Sequence, residues 1–207
     1  MGEVDYYDSW KAMHYKVREL YKDLVVSFAK DSVNNRIDVF IISDKLKEEN
    51  GNLRIYTQDF KGNKLFFTEK QLPLKPNQVE KIASYDIADL LKDKPANQVV
   101  MTAELRVGDS LVSCRNYYFV LPKDLDLVKK EVKTKVQKTE DGYQVTLSTK
   151  TLVKDLYVSF PDYPGNFDDN YFDLLPGSVK VITFKTGQTI PQAGKRLRLF
   201  SLEDSYN

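Results

Sequence analysis

The densest run of carboxylates in the sequence lies between residues 161 and 177, which read PDYPGNFDDNYFDLLPG. It includes Asp162, Asp168, Asp169 and Asp173. Two carboxylic acids roughly 5–9 Å apart are sufficient for glycoside hydrolysis, so acid–base chemistry is one interpretation of the segment. Oxygen ligands in such a run also favour calcium, although the glycine and the terminal glutamate of an EF-hand loop are misplaced here.

The same segment has a structural interpretation. Asp and Asn side chains often bond to their own backbone in turns, so the run is also typical of an ordered loop pinned to a core. Aromatic residues such as Tyr163, Phe167 and Tyr171 could instead stack on a sugar ring, although core packing is the commoner role of aromatic residues in a sandwich. The candidate residues for a sugar contact or a domain interface are Asp168, Asp169, Asn170 and Tyr171.

The sequence lacks most of the residues that nucleophilic catalysis and tight metal binding usually require. His14 is the only histidine and Cys114 the only cysteine, so neither a thiolate cluster nor an internal disulfide can form. The sequence has no G-x-S-x-G elbow, P-loop or G-x-G-x-x-G motif. We interpret Cys114 as a small core residue and His14 as a helix-surface or partly packed residue. The sequence therefore predicts no catalytic residue, no metal site and no cofactor.

Residues 8–22, DSWKAMHYKVRELYK, have apolar side chains at helical spacing. The side chains on this face are Trp10, Met13, Val17, Leu20 and Tyr21. A single helix of this length is marginal in water unless its apolar face is buried. Either the face packs on the domain that follows, or its partner lies upstream in a longer polypeptide. We expect the second arrangement, with Trp10, Met13 and Val17 facing the missing partner.

After Asp23 the hydrophobic period shortens to about 2 residues, which predicts β-strands. The candidate strands of a first block are 24–30, 36–43, 52–60, 64–74, 79–87, 98–107 and 110–121. Turn signals such as Asn34-Asn35 and Gly108-Asp109 separate them, and a short helical turn is expected at 87–91. About seven short strands joined by tight turns are typical of an immunoglobulin-like sandwich.

A second block of strands follows Pro122, which marks a domain boundary because proline lacks the N–H needed inside a central strand. Its candidate strands are 131–139, 143–149, 155–160, 171–175, 178–185 and 195–202. The predicted fold class is all-β, with two tandem immunoglobulin-like β-sandwiches preceded by one amphipathic helix. The predicted domains are a terminal helix at 1–22 and sandwiches at 23–121 and 122–207.

Composition excludes several classes of protein. The chain has 207 residues and 42% hydrophobic residues, enough for packed cores. Its 31 basic residues balance 30 acidic ones, so we expect no nucleic-acid partner. Apolar runs fall far short of the roughly 20 residues of a membrane helix, so we expect no membrane partner. The start of the sequence has neither the basic nor the apolar region of a signal peptide.

Two segments resemble a known family. Residues 169–177, Asp-Asn-Tyr-Phe-Asp-Leu-Leu-Pro-Gly, resemble a D-N-x-F-D-L-L-P-G run in the C-terminal immunoglobulin-like domain of family 2 glycoside hydrolases, above all those of the β-mannosidase and exo-glucosaminidase type. Residues 5–28 are similar to the last barrel helix of those enzymes and the start of the next sandwich. The resemblance covers nearly the whole chain.

This resemblance implies a non-catalytic C-terminal part of a larger β-mannosidase-like enzyme, which is periplasmic or secreted. The partner would be the catalytic barrel of the same polypeptide, and the 161–173 loop would lie near a β-mannoside or oligosaccharide. No position matches the family's catalytic motifs, so no catalytic residue is carried over. Two alternatives stay open: a carbohydrate-binding module, and a structural protein of tandem immunoglobulin-like domains in which Trp10 packs against residues 24–121.

Overall fold

A computed structural model of the chain describes residues 10–206. The chain divides into two compact units, one formed by Glu19–Asp126 and the other by the chain up to Arg18 together with Leu127–Asn207. The boundary between the units falls within the first helix, α1, which spans Ala12–Leu20. The predicted division into 1–22, 23–121 and 122–207 stays a prediction.

The unit formed by Glu19–Asp126 is a seven-stranded antiparallel sandwich. Its strands are β1 (Leu24–Asp31), β2 (Arg36–Ser43), β3 (Glu49–Asp59), β4 (Lys64–Leu74), β5 (Gln78–Asp86), β6 (Val99–Val107) and β7 (Ser110–Tyr118). They form a three-stranded sheet in the order β1-β2-β5 and a four-stranded sheet in the order β4-β3-β6-β7. Helix α2 (Ile87–Leu91) follows β5, where the sequence predicts a helical turn.

Alternating side chains build the core of this sandwich. In β2, Ile37, Val39 and Ile41 are buried while the residues between them are not, which is the period-2 pattern that the sequence shows. They pack with residues of the facing sheet such as Leu53 and Leu105 in one apolar cluster. The hydrophobic effect of burying these side chains therefore holds the two sheets together.

Cys114 lies on the outside of this sandwich, whereas the sequence predicts it in the core. Cys114 is exposed, so its assignment to the core is wrong. The alternation along β7 places the neighbouring Ser113 inside, where its Oγ accepts a 3.1 Å hydrogen bond from the backbone N–H of Val26. Cys114 therefore points to the outer face, in register with Glu104 of β6.

The second unit is also a sandwich of two antiparallel sheets. Its strands are β8 (Val132–Thr139), β9 (Gly142–Thr149), β10 (Val153–Ser159), β11 (Asn166–Phe167), β12 (Phe172–Leu174), β13 (Val179–Lys185) and β14 (Arg198–Phe200). They pair in the orders β12-β10-β14 and β11-β13-β9-β8. A short helix, α3 (Ala193–Arg196), precedes β14. The fold class of two tandem immunoglobulin-like sandwiches is confirmed.

The predicted alternation of the 143–149 strand is confirmed, because Tyr143, Val145 and Leu147 are buried in the second core. The edge strand β8 exposes Lys133 and Lys135 on its outer side. Two elements differ from prediction. The short strand β11 lies inside the segment expected to be a loop, and the 195–202 strand shortens to three residues between α3 and a terminal 3-10 turn.

Among the described residues, no helix is both long and apolar enough to cross a lipid bilayer.

Candidate functional site

The candidate site is the junction between helix α1, up to Arg18, and the 161–177 loop, both in the unit of the second sandwich. Tyr15 is 3% exposed, and its hydroxyl donates a 3.0 Å hydrogen bond to the carbonyl oxygen of Phe167 in β11. The backbone N–H of Trp10 donates a 2.9 Å bond to Oδ1 of Asn166. Trp10 forms a strand-like bridge, and the helix begins at Ala12, later than the sequence predicts.

Arg18 extends the same junction by one helical turn. Its Nη2 donates a 2.5 Å hydrogen bond to the backbone carbonyl of Asp168 and lies 3.9 Å from the carboxylate of Asp169. The second oxygen of Asp169 lies 2.7 Å from Nζ of Lys180 in β13. Charge-assisted contacts of this kind favour a fixed position of the loop beside the helix.

Asp168 joins the loop to β13. Its Oδ1 accepts a 2.8 Å hydrogen bond from the backbone N–H of Thr183, and its own N–H donates a 2.9 Å bond to the carbonyl of Thr183. The pair of bonds continues the β11–β13 pairing by one residue. The Asp168 carboxylate is therefore used in the fold of the loop.

The side-chain amide of Asn170 makes the hydrogen bonds that a neighbouring strand would otherwise make. It is 5% exposed, and its side-chain Oδ1 accepts a 2.8 Å bond from the N–H of Val158 while its Nδ2 donates a 2.8 Å bond to the carbonyl of Val158. Val158 lies in β10, whose pairing with β12 ends at Leu156 and Phe172. The amide thus satisfies two buried backbone groups that would otherwise lack a partner.

Tyr171 is the aromatic centre of the junction. Its backbone φ is +56°, an uncommon conformation for a residue other than glycine. The ring stacks on Tyr157 with centroids 4.8 Å apart and lies 5.9 Å from the ring of Tyr15. Burial raises the pKa of the Tyr171 hydroxyl, and burial together with the neighbouring Tyr171 raises the pKa of Tyr15 to about 12.

A cluster of three charged side chains, Lys154, Asp155 and Asp173, fixes the C-terminal end of the loop. Asp173 accepts a 3.0 Å bond from the N–H of Asp155 and lies 3.2 Å from Nζ of Lys154, which also pairs with Asp155 at 2.7 Å. The side chains of Lys154 and Asp173 are 11% and 10% exposed. Burial opposes the charge of Lys154, but Asp173 and Asp155 outweigh it and raise the pKa of the ammonium group.

The acidic residues of the loop do not converge on a point. Asp168, Asp169 and Asp173 each bond to a different partner, and Asp162 lies 3.7 Å from Arg196. No group of three or more metal-ligating side chains occurs within residues 10–206. Of the aromatic residues considered for sugar stacking, Phe167 is 3% exposed and Tyr163 packs on the second core.

The solvent exposure of the predicted apolar face of the helix varies from residue to residue. Met13 is 59% exposed, and Leu20 and Tyr21 are also exposed, whereas Trp10 and Val17 are half-buried. The ring of His14, which is itself half-buried, lies 4.5 Å from that of Trp10. Sequence reasoning missed Tyr15, the most buried residue of the helix, because it lies to one side of the apolar stripe.

The structure therefore brings Trp10, Asp168 and Asp169 to one junction, with Asn170 and Tyr171 beside them. Met13 projects from the same helix without joining these contacts. The arrangement is built from interlocked hydrogen bonds and stacked rings, and it can hold a helix on a sandwich. The sequence motif 169–177 marks the loop, but its anchoring role in the fold follows only from the three-dimensional partners.

Comparison with known proteins agrees with this architecture. Residues 35–124 match the family model described as a mannosidase Ig/CBM-like domain, and residues 127–205 match the Ig-fold domain of the mannosidase type. The chain is similar to β-mannosidase A of Aspergillus oryzae, with 27% identity over 99% of the chain and 24% of that protein. It is also 24% identical to β-mannosidase A of Aspergillus terreus over 87% of the chain and 21% of that protein.

Solved structures show the same fold. The β-D-mannosidase of Dictyoglomus thermophilum aligns with a TM-score of 0.81 at 19% identity, over 97% of this chain and 24% of that one. The exo-chitosanase of Amycolatopsis orientalis aligns with a TM-score of 0.61 at 13% identity, over 97% of this chain and 28% of that one. The chain spans about a quarter of the length of the relatives that it matches.

Fold and junction thus define a tandem immunoglobulin-like protein with an attached helix. More particularly, its two sandwiches match mannosidase-type immunoglobulin-like domains, and the chain is similar to a C-terminal region of family 2 β-mannosidases.

Proposed function

We propose that this chain is the non-catalytic C-terminal part of a β-mannosidase-like glycoside hydrolase and that it buttresses the catalytic barrel of the same polypeptide. The main observation behind this proposal is that helix α1 has one side buried and another side exposed. Tyr15 fixes the helix to the second sandwich by a buried hydrogen bond, while Met13 is 59% exposed on the described surface. Leu20 and Tyr21 of the predicted apolar face are exposed as well, and a set of exposed apolar side chains is suited to contact another domain.

The separate partners of the loop carboxylates support the accessory role. The loop carboxylates, for which acid–base chemistry is only one interpretation of the sequence, are bonded to separate partners in the fold. A hydrolytic pair needs two carboxyl groups on either side of one glycosidic bond. These acids instead stabilise the loop, as expected of a part of the polypeptide that does not itself cleave the bond.

We further propose that the 161–173 loop, with Asp168, Asp169, Asn170 and Tyr171, lies at the boundary with the barrel, near its sugar-binding pocket. The anchoring of this loop to the same helix that presents Met13 supports the proposal. The periplasmic or secreted location that the family resemblance implies stays a prediction.

An activity assay tests the accessory role. The isolated chain is incubated with 4-nitrophenyl β-D-mannopyranoside beside a complete β-mannosidase as the positive control, and we expect no release of nitrophenol from the isolated chain. Release that is abolished by a single carboxylate substitution, such as Asp168→Asn or Asp173→Asn, contradicts the proposal. The longer polypeptide prepared with and without residues 1–207 supplies the second arm, and we expect lower thermal stability without them.

A further inference from the structure

A shallow groove on the second sandwich lies apart from the helix junction. It is formed by β8, β9 and the segment that leads into α3, and its volume is about 470 Å³. Its walls include Val136, Lys138, Tyr143, Ile190, Ala193 and Lys195. The volume falls within the range of small-molecule sites, which is about 300–1,000 Å³.

The floor of the groove is apolar and fixed. Tyr143 and Ile190 are each 4% exposed and belong to the second core. The Tyr143 hydroxyl accepts a 2.6 Å hydrogen bond from the backbone N–H of Ile190, so the segment that forms one wall is tied to β9. Val136 and Ala193, which are half-buried, complete a surface on which an apolar face of a ligand can lie.

The rim of the groove is positively charged. Lys138 and Lys195 both line it, and none of the described residues that line it is acidic. Within residues 10–206, neither lysine forms a salt bridge. Nζ of Lys138 lies 3.4 Å from Oγ1 of Thr189, which adds a neutral polar group to the same rim. Two ammonium groups above an apolar floor favour a ligand that carries an anion on an apolar body.

We propose that this groove binds an acidic oligosaccharide, with a uronate carboxylate paired to Lys138 and Lys195 and the C–H face of its pyranose ring on the floor. The carboxylate is argued from charge complementarity. The choice of a glycan as the body of the ligand rests on the proposed function, because a pyranose ring combines an apolar face with a hydroxyl rim that Thr189 and Gln192 can meet.

The test is a calorimetric or NMR titration of the full 207-residue chain with tri-galacturonic acid, and with mannotriose as the neutral comparison. We expect saturable binding of the acidic trisaccharide only. The variant Lys138→Gln/Lys195→Gln should weaken it by about tenfold or more, because each lysine supplies a charge-assisted bond. The matched control is Lys133→Gln/Lys135→Gln, which removes the same charge from the outer side of the same strand, β8.

Three outcomes overturn the proposal. These are no saturation up to about 10 mM, beyond the millimolar range of weak complexes; equal binding of mannotriose; and equal weakening by the control variant, which would indicate unspecific charge attraction. Thermal unfolding of both variants verifies that they are folded. A negative titration leaves the activity assay and the test of residues 1–207 unaffected, so the failure of this site is distinguishable from failure of the accessory role.

Discussion

The hydroxyl of Tyr15 donates a hydrogen bond to the backbone carbonyl of Phe167 across 152 residues of sequence. The bond is buried, so water cannot replace it when one partner is removed. It connects helix α1 to the short strand β11, and Trp10 and Arg18 bond to residues on either side of Phe167. The helix, up to Arg18, is thereby fixed to the second sandwich.

Removal of this hydroxyl should destabilise the second unit. We expect Tyr15→Phe to lower the free energy of unfolding by about 1–3 kcal/mol, because the Phe167 carbonyl is left buried without its donor. Urea unfolding followed by the fluorescence of Trp10, whose ring lies 5.8 Å from that of Tyr15, measures the change. Tyr21→Phe is the control, since Tyr21 is 84% exposed, and equal effects of the two variants would refute the role of the bond.

The raised pKa of Tyr15 predicts a loss of stability at alkaline pH. Burial raises the pKa of Tyr15 from 10.0 to about 12, so the folded state keeps its proton where the unfolded state loses it. Stability should therefore fall as the pH rises from about 10 to 12, by up to roughly 2–3 kcal/mol from this group. Melting temperatures across this range, compared between the wild type and Tyr15→Phe, should show a shallower decline in the variant. Parallel curves would contradict this origin of the decline.

The Asn170 amide offers a sharper test of the loop. Asn170→Asp keeps the shape of the side chain and its acceptor for the Val158 N–H, but it removes the donor to the Val158 carbonyl. We expect a loss of at least about 1–3 kcal/mol for Asn170→Ala, which leaves both backbone groups buried and unpaired, and a loss of at least similar size for Asn170→Asp, whose carboxylate would be buried against the Val158 carbonyl. Denaturant unfolding gives the values, and an alanine variant as stable as the wild type would exclude this role.

Gly142 is expected to resist substitution. Its φ is +146°, and a Cβ there would lie 2.0 Å from the carbonyl oxygen of Phe184 in β13. Gly108 also has a positive φ, +56°, but a Cβ there would meet nothing within 4 Å. Gly108→Ala should cost about 1–2 kcal/mol from backbone strain alone, and Gly142→Ala should cost clearly more. Thermal unfolding compares the two, and equal losses would count against the steric explanation.

The proposed contact with the barrel predicts a context-dependent effect of Met13→Glu. In the isolated chain the change should alter stability by no more than about 0.5 kcal/mol, because Met13 is exposed. In the longer polypeptide it should cost about 2 kcal/mol or more, since a charge would enter an apolar interface. Val33→Glu, at a position 92% exposed, is the control. A small effect of Met13→Glu in both contexts would argue against a buried interface at this position.

Sequence periodicity was sufficient to predict most strands, because their burial alternates. β2 matches its predicted range of 36–43, and β4 matches 64–74. The strands β11 and β14 have two and three residues. Elements so short show no period, and their position depends on partners far along the chain.

The site was less predictable than the fold for the same reason. The residues 168–171 were singled out because of their density of polar groups, but their partners in β10, β13 and α1 lie elsewhere in the sequence. The amide of Asn170 replaces a strand, a role that no local pattern reveals. Tyr15 was missed because its burial depends on β11, and Cys114 was misplaced by one step of the alternation along β7.

The lysines of β8 have an effect that extends beyond a single molecule. Lys133 and Lys135 alternate along a strand that borders its sheet. If the same border of a second copy approached it, ammonium groups would face ammonium groups, and their repulsion would oppose the joining of the two sheets. These lysines therefore oppose the extension of the sheet from one molecule to another along β8.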